Sequence, residues 1–209
     1  MTERDNALLP IRFGPGEWLG AFGDIGTMVP LLLGLAALNG LPVAKSLVLV
    51  GLVYVGAALY FRIPMPVQPL KAMAAIAIAQ GLGMEFVWAA GIWMGLILPG
   101  LAMTGSVAAL SRFFTQPVVK GIQLGVGLML VQTSMGLLSS GGYHLAVSAE
   151  AAWRLPAAAE FAWALWLLVI PQLPLTLGNS VFAVSDAARD YYGAGARRAE
   201  PAKIALSLG

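Results

Sequence analysis

Cysteine is absent from the 209-residue sequence, and only one histidine, His144, is present. Disulfides and thiolate metal sites are therefore excluded, and a lone histidine cannot form a metal cluster by itself. Charged side chains are also scarce, at 11% of residues, whereas soluble domains carry about 25%. Together with a hydrophobic content of 59%, this composition predicts an integral membrane protein. No cofactor is predicted, and no constellation typical of an enzyme active site stands out.

The length of the apolar runs predicts the architecture. A helix that crosses the hydrocarbon core needs about 20 mostly apolar residues. We therefore predict an all-α polytopic membrane protein with about six transmembrane spans, one of them an interrupted half-helix. The spans are 18–38, 46–61, 67–82, 86–104, 118–138 and 161–184.

The remaining segments complete this division. Residues 1–17 are expected to form an N-terminal tail without a signal peptide, and residues 139–160 a short connection. Residues 185–201 are expected to form a solvated loop, after which the apolar residues 202–209 begin another helix.

The placement of lysine and arginine predicts the orientation in the membrane. With the N-terminus in the cytoplasm, only Lys45 and Arg154 fall on the outer side, as the positive-inside rule expects. The basic residues on or near the cytoplasmic side are then Arg4, Arg12, Arg62, Arg112, Lys120, Arg189, Arg197, Arg198 and Lys203.

The stretch 63–80, IPMPVQPLKAMAAIAIAQ, combines polar residues and prolines at membrane depth. Three prolines make a continuous helix over residues 63–69 unfavourable. A half-helix that begins near Pro69 would present free N–H groups to a cavity, and Gln68 and Lys71 would add donors and positive charge. This set suits an oxyanion; the alternative is a proline kink in an ordinary helix. The small residues that follow are assigned to close helix packing.

Three other stretches place polar groups inside apolar spans. In GAFGDIGTMVP, Asp24 and Thr27 face either a cavity or a helix-packing interface. In the span 118–138, Gln123 and Gln132 either face the bundle interior or serve helix packing, and packing is the favoured interpretation. The stretch IPQLPLTLGNSVFAVSD repeats the Pro-x-x-Pro-Leu pattern of residues 66–70, and it predicts a second interrupted, polar helix.

Taken together, these motifs resemble the molybdate transporter family, relatives of the SulP sulfate permeases. The matching stretches are GAFGDIGTMVPLLLGLAALNGL, IPMPVQPLKAMAAIAIAQG, GIWMGLILPGLAMTG, QPVVKGIQLGVGLMLVQ and PQLPLTLGNSVFAVSDAARDYYG, and they follow the family's order. The resemblance implies two inverted seven-span repeats with a core and a gate domain, and an oxyanion held between two half-helices. The substrate-binding residues that it implies are Asp24, Gly26, Thr27, Gln68, Pro69, Lys71, Gln172, Thr176 and Asn179.

The sequence also departs from the family pattern. The family chain is roughly twice as long, and only a short connection stands where the family has two further spans. We therefore expect an internally shortened and C-terminally truncated member that lacks the second half-helix. Residues 18–138 would then belong to the first repeat, and residues 161–184 to the first span of the second.

The function expected from these observations is secondary transport of a tetrahedral oxyanion, molybdate before sulfate, with Asp24 a candidate for proton coupling. One alternative is a fragment or accessory subunit without independent activity, which a homodimer or a complementing chain would complete. Another is a nucleobase permease of the same architecture, against which Lys71 argues. The lipid bilayer is an expected partner, whereas nucleic acid is not.

Overall fold

A computed structural model of the protein describes residues 14–62, 70–110, 113–114, 116–139, 153–192 and 199–208. All regular structure within these residues is helical. The α-helices are α1 (Pro15–Asn39), α2 (Val43–Phe61), α3 (Lys71–Gln80), α4 (Met84–Met103), α5 (Val107–Leu110), α6 (Gln116–Ser139), α7 (Ala158–Ala164), α8 (Ile170–Leu175), α9 (Ala183–Tyr192) and α10 (Pro201–Leu208). A first π-helical segment, Leu165–Val169, precedes α8, and a second, Thr176–Phe182, follows it. We call the unbroken run 158–192 the long helix.

The prediction of an all-α polytopic membrane protein is confirmed. In the described part of the chain, four helices are long and apolar enough to cross a membrane: Val43–Phe61, Met84–Met103, Pro117–Gly136 and Ala158–Asp190. Lys71–Gln80 is a shorter apolar helix, and Met28–Asn39 is an apolar part of the 25-residue helix α1. Each of the six predicted spans overlaps one of these helices.

Left-handed residues end the first three helices. Gly40 (φ 79°) ends α1, and Gly81 (φ 60°) ends α3; both values suit glycine, which has no Cβ. Arg62 takes the same role after α2, with φ 56°. Because α2 ends at Phe61 and the next described helix begins at Lys71, α2 and α3 are separate helices. The residues predicted to break the chain, 63–69, lie outside the described part.

Helix α3 is the most deeply buried of the shorter helices, with every side chain from Ala72 to Ile78 buried. It contacts α1, α4, α6, α8 and the first π segment. The close approach of α1 is explained by Gly34, because a Cβ on this residue would lie only 2.8 Å from Cδ1 of Ile78. The small residues of α3 therefore serve close packing, as predicted.

Asn39, at the end of α1, forms hydrogen bonds with the C-terminal end of α3. Its Nδ2 donates to the carbonyl oxygens of Ala77 at 3.0 Å and Leu82 at 2.7 Å. Backbone carbonyls at a helix end have no partner within the helix, so a buried side-chain donor replaces water there.

The prediction that Pro171 and Pro174 interrupt a helix is wrong, since the long helix continues through both. A proline ring clashes with the carbonyl four residues earlier, which for Pro171 belongs to Leu167 in the first π segment. The wider turn of a π-helix relieves such a clash. Both prolines lie in α8, between the two π segments, and the helix itself is unbroken.

The expected loop over residues 185–201 also needs correction, because α9 extends the long helix to Tyr192. Ser185 and Ala188 are buried, whereas Asp186, Arg189 and Asp190 are exposed. Charged residues are compatible with helix when they lie on one side of it. Charge content alone therefore gave the wrong expectation for this segment.

At the other end of the long helix, an ion-pair cluster holds the chain against α4. Arg154 Nη1 donates to Glu160 Oε2 at 2.9 Å, and its Nη2 lies 3.6 Å from Glu85 Oε1. The rings of Trp88 and Trp153 lie beside it, with centroids 6.4 Å apart.

Candidate functional site

The N-terminal turn of α3 is held by a side chain from a distant part of the sequence. Oε1 of Gln172, in α8, accepts hydrogen bonds from the backbone N–H groups of Ala72 at 2.9 Å and Met73 at 3.2 Å. The first N–H groups of a helix have no partner within it, and Leu70 at the N-cap position provides no side-chain acceptor. Gln172 satisfies two of these donors from outside the helix.

The orientation of the Gln172 amide is set by Thr176, one turn further along. Nε2 of Gln172 donates to Oγ1 of Thr176 at 2.9 Å, which leaves Oε1 pointing at α3. Both side chains are buried, at 3% and 4% exposure. The Gln172 amide thus accepts hydrogen bonds through its oxygen and donates one through its nitrogen, and these bonds together fix its orientation.

This contact borders a cavity of about 500 Å³, a volume typical of ligand sites. Helices α1, α3 and α6 and the long helix form its walls. The lining residues are Gly26, Pro30, Leu31, Gly34 and Leu38 from α1, Lys71 and Ile78 from α3, Gln123, Val126, Gly127, Leu130, Thr133 and Ser134 from α6, and Gln172, Leu175, Asn179 and Ser180 from the long helix.

The electrostatic character of the cavity favours a negative charge. Among its described lining residues, Lys71 carries the only formal charge. Lys71 is also the first residue of α3, and a helix N-terminus bears a partial positive charge. Gln123 and Asn179 add amide groups, and Ser180 a hydroxyl. Donors and positive potential together are the requirements for binding an oxyanion.

The second π segment forms the wall that carries Asn179 and Ser180. Within it, Gly178 allows α6 to approach closely, because a Cβ on this residue would lie 2.8 Å from Cγ2 of Val119. Single π turns are frequent at functional sites, where they change the face on which a side chain emerges.

The structure brings four of the predicted site residues to the cavity: Gly26, Lys71, Gln172 and Asn179. Thr176 is linked to it through Gln172. Asp24 and Thr27 lie within α1, but their side chains are outside the described part, as are residues Gln68 and Pro69.

For Gln123 the favoured interpretation, packing, is wrong and the alternative holds, since this residue lines the cavity. Thr133, Ser134 and Ser180 also line it and were not predicted. A signal was available in α6: the lining positions 123, 127, 130 and 134 follow the spacing of one helix face. Gln132, which lies off this face, is exposed and does not line the cavity.

Comparison with known proteins agrees with this picture. The family model described as "Molybdate transporter of MFS superfamily" matches residues 16–130, more than half of the chain. The chain belongs to this family. It is a family of transporters and not of enzymes, and membership supports an integral membrane location.

Several curated relatives are similar over part of the sequence. Molybdate transporter 2 of Arabidopsis thaliana is 36% identical over 121 residues, which cover 57% of this chain and 26% of the relative. Molybdate transporter 1 of Arabidopsis thaliana is 35% identical over 130 residues, covering 61% and 28%. Molybdate transporter 1 of Chlamydomonas reinhardtii is 34% identical over 131 residues, covering 60% and 25%. The matches thus span about a quarter of each relative's length. No solved structure matches the chain.

The family match covers only part of the cavity wall. Residues 16–130 include α3, the described part of α1 and α6 as far as Leu130. The long helix, which carries Gln172, Thr176 and Asn179, begins after the matched region. The geometry of this chain, rather than the family match, places these three residues at or beside the cavity.

Proposed function

We propose that this chain forms an oxyanion site of a secondary transporter in the cell membrane, with molybdate as the first candidate substrate. The observation that carries the proposal is the convergence of the Ala72 and Met73 N–H groups on one oxygen atom beside a cavity. Two amide donors that meet at a single acceptor are arranged as an oxygen of a bound anion requires.

The chemistry of the cavity supports an anion over a neutral ligand. Lys71 and the N-terminus of α3 lie at the same end of the cavity and add their positive potential. Hydrogen bonds to a charged oxygen are about twice as strong as those between neutral groups. The predicted set Asp24, Gly26, Thr27, Gln68, Pro69, Lys71, Gln172, Thr176 and Asn179 remains our proposal for the residues that form or border the site.

The choice of molybdate depends on the relatives, which are named molybdate transporters. Sulfate is also a tetrahedral dianion, so the donors of this cavity suit both, and competition must separate them. The seven-plus-seven inverted repeat, the relation to SulP permeases, the cytoplasmic N-terminus and proton coupling through Asp24 likewise stay predictions.

Exposed apolar side chains indicate what surrounds the bundle. Leu47, Val48, Leu52 and Val55 on α2 are more than 40% exposed, and α6 exposes Leu124, Leu128 and Val131 in the same way. We propose that lipid covers these faces, because such side chains match the hydrocarbon core of a bilayer. A complementing chain on the same faces is the alternative, and it corresponds to the reading of this chain as a non-autonomous subunit.

The test is equilibrium binding of labelled molybdate to the purified chain in lipid nanodiscs. Lys71→Gln keeps a polar side chain of similar size and removes the charge, so we expect affinity to fall about tenfold or more. The matched control is Lys120→Gln, because Lys120 is exposed on α6 and does not line the cavity. An excess of sulfate in parallel samples measures selectivity.

Three outcomes decide the proposal. Saturable binding that is lost in Lys71→Gln and kept in Lys120→Gln supports it. Equal loss in both variants would mean that only overall charge matters, which contradicts a localised site. Absence of binding to the unmodified chain would contradict the proposal for this chain alone and favour the non-autonomous subunit.

A further inference from the structure

The donors proposed to bind the anion are already occupied in this structure. Gln172 Oε1 lies 2.9 Å from the N atom of Ala72 and 3.2 Å from that of Met73. An oxygen of a ligand cannot take the same position while the Gln172 oxygen is there. The contact joins residues one hundred positions apart in the chain, so the fold as a whole creates it.

We propose that Gln172 is an internal, displaceable cap that closes the anion site when no substrate is bound. This inference rests on the function proposed above. In the capped form, the amide oxygen substitutes for an oxygen of the substrate. In the open form, the side chain has moved away, and the N–H groups of Ala72 and Met73 are free to bind the anion.

The chemistry of the contact makes displacement favourable. Gln172 offers a neutral carbonyl oxygen, whereas the substrate offers a charged one whose hydrogen bonds to the same N–H groups are stronger. Lys71 adds attraction for the anion and none of comparable strength for the amide. The cavity of about 500 Å³ next to Gln172 gives the displaced carboxamide a place to go.

The residue type is informative as well. A glutamate at position 172 would place a carboxylate at the N-terminus of α3 and beside Lys71, which would hold it there by charge. The carboxylate would then occupy the anion site permanently and exclude the substrate. A glutamine satisfies the same N–H groups without charge, so the structure keeps the first turn of α3 ordered while leaving the site available.

The cap makes a quantitative prediction about binding. A ligand that binds only the open form has an apparent affinity reduced by the fraction of molecules that are open. Gln172→Ala removes the cap, and we expect labelled molybdate to bind about tenfold more tightly, the gain for a site that is open about one tenth of the time. Gln172→Glu is expected to abolish binding. Gln132→Ala is the control, because Gln132 is exposed and outside the cavity.

Hydrogen exchange tests the cap without any ligand. In the purified full chain, the amide protons of Ala72 and Met73 are expected to exchange faster in Gln172→Ala than in the unmodified protein. Gln172→Met is the second variant, since it keeps the volume of the side chain and removes the oxygen acceptor. It is expected to raise exchange at the same two amides even if the alanine variant folds poorly.

The outcomes separate the two proposals. Molybdate binding that is weaker in Gln172→Ala than in the unmodified chain would overturn the cap, because Gln172 would then be a direct ligand. Unchanged exchange at Ala72 and Met73 in both neutral variants would overturn it as well. If the unmodified chain and Gln172→Ala both fail to bind molybdate, the proposed function fails and so does this role in substrate binding.

Discussion

Replacement of Gly178 by alanine tests the packing that forms the cavity wall. Gly178 is buried in the second π segment, where the long helix meets α6. A Cβ at this position would lie 2.8 Å from Cγ2 and 3.3 Å from Cγ1 of Val119, both closer than ordinary van der Waals contact. One methyl group therefore cannot be added here without moving a helix or a side chain.

The expected magnitude follows from the neighbour. Val119 is only 1% exposed, and a β-branched side chain in a helix has one strongly preferred rotamer, so it cannot easily turn away. Overpacking of this kind costs about 1–3 kcal/mol. Alanine regains at most about 0.8–1.0 kcal/mol through its higher helix propensity. We therefore expect Gly178→Ala to lower the free energy of unfolding by up to about 2 kcal/mol.

The assay is reversible unfolding in mixed detergent micelles, with helical content as the signal. Gly121→Ala and Gly125→Ala on α6 are controls, because nothing lies within 4 Å of a Cβ at either position. A double-mutant cycle with Val119→Ala should show favourable coupling, since the smaller side chain makes room for the new methyl group. A Gly178→Ala protein more stable than the unmodified chain, or a cycle without coupling, would refute the reasoning.

Three further predictions use the same unfolding assay. Gly34→Ala also brings a Cβ to 2.8 Å, but from Cδ1 at the flexible end of Ile78, so it should cost less than Gly178→Ala; an equal or larger loss would contradict this. Asn39→Ala removes the buried donor to the Leu82 carbonyl and should cost about 1–3 kcal/mol, whereas a neutral effect would mean that water replaces it. Arg154→Ala should lower the melting temperature slightly at low salt, and the difference should shrink at high salt because its two carboxylate partners lie near the surface. A large, salt-independent loss would contradict a surface ion pair.

Much of the fold was predictable from the sequence because it depends on local properties. Length and hydropathy of a segment decide whether it can cross a membrane as a helix, and hydrogen bonds within a helix do not depend on distant residues. The six predicted spans therefore correspond to observed helices. Two predictions for the long helix were wrong: that prolines interrupt it, and that it gives way to a loop after Val184. Pro171 and Pro174 lie in a short α-helical segment between two π segments, and the charged residues after Val184 lie on one side of α9.

The candidate site was predictable only in part. Lys71 stood out because polar residues inside apolar spans are expensive unless they have a partner or a cavity, whereas Gln172 and Asn179 were implied by the resemblance to the molybdate transporter family. The sequence alone determined that this is a helical membrane protein with polar groups at these positions. Only the tertiary structure decided that Gln172 meets Ala72 and Met73, and that Gln123 lines the cavity while Gln132 does not. Such contacts depend on how helices far apart in the chain are packed and rotated, and local sequence patterns do not specify that arrangement.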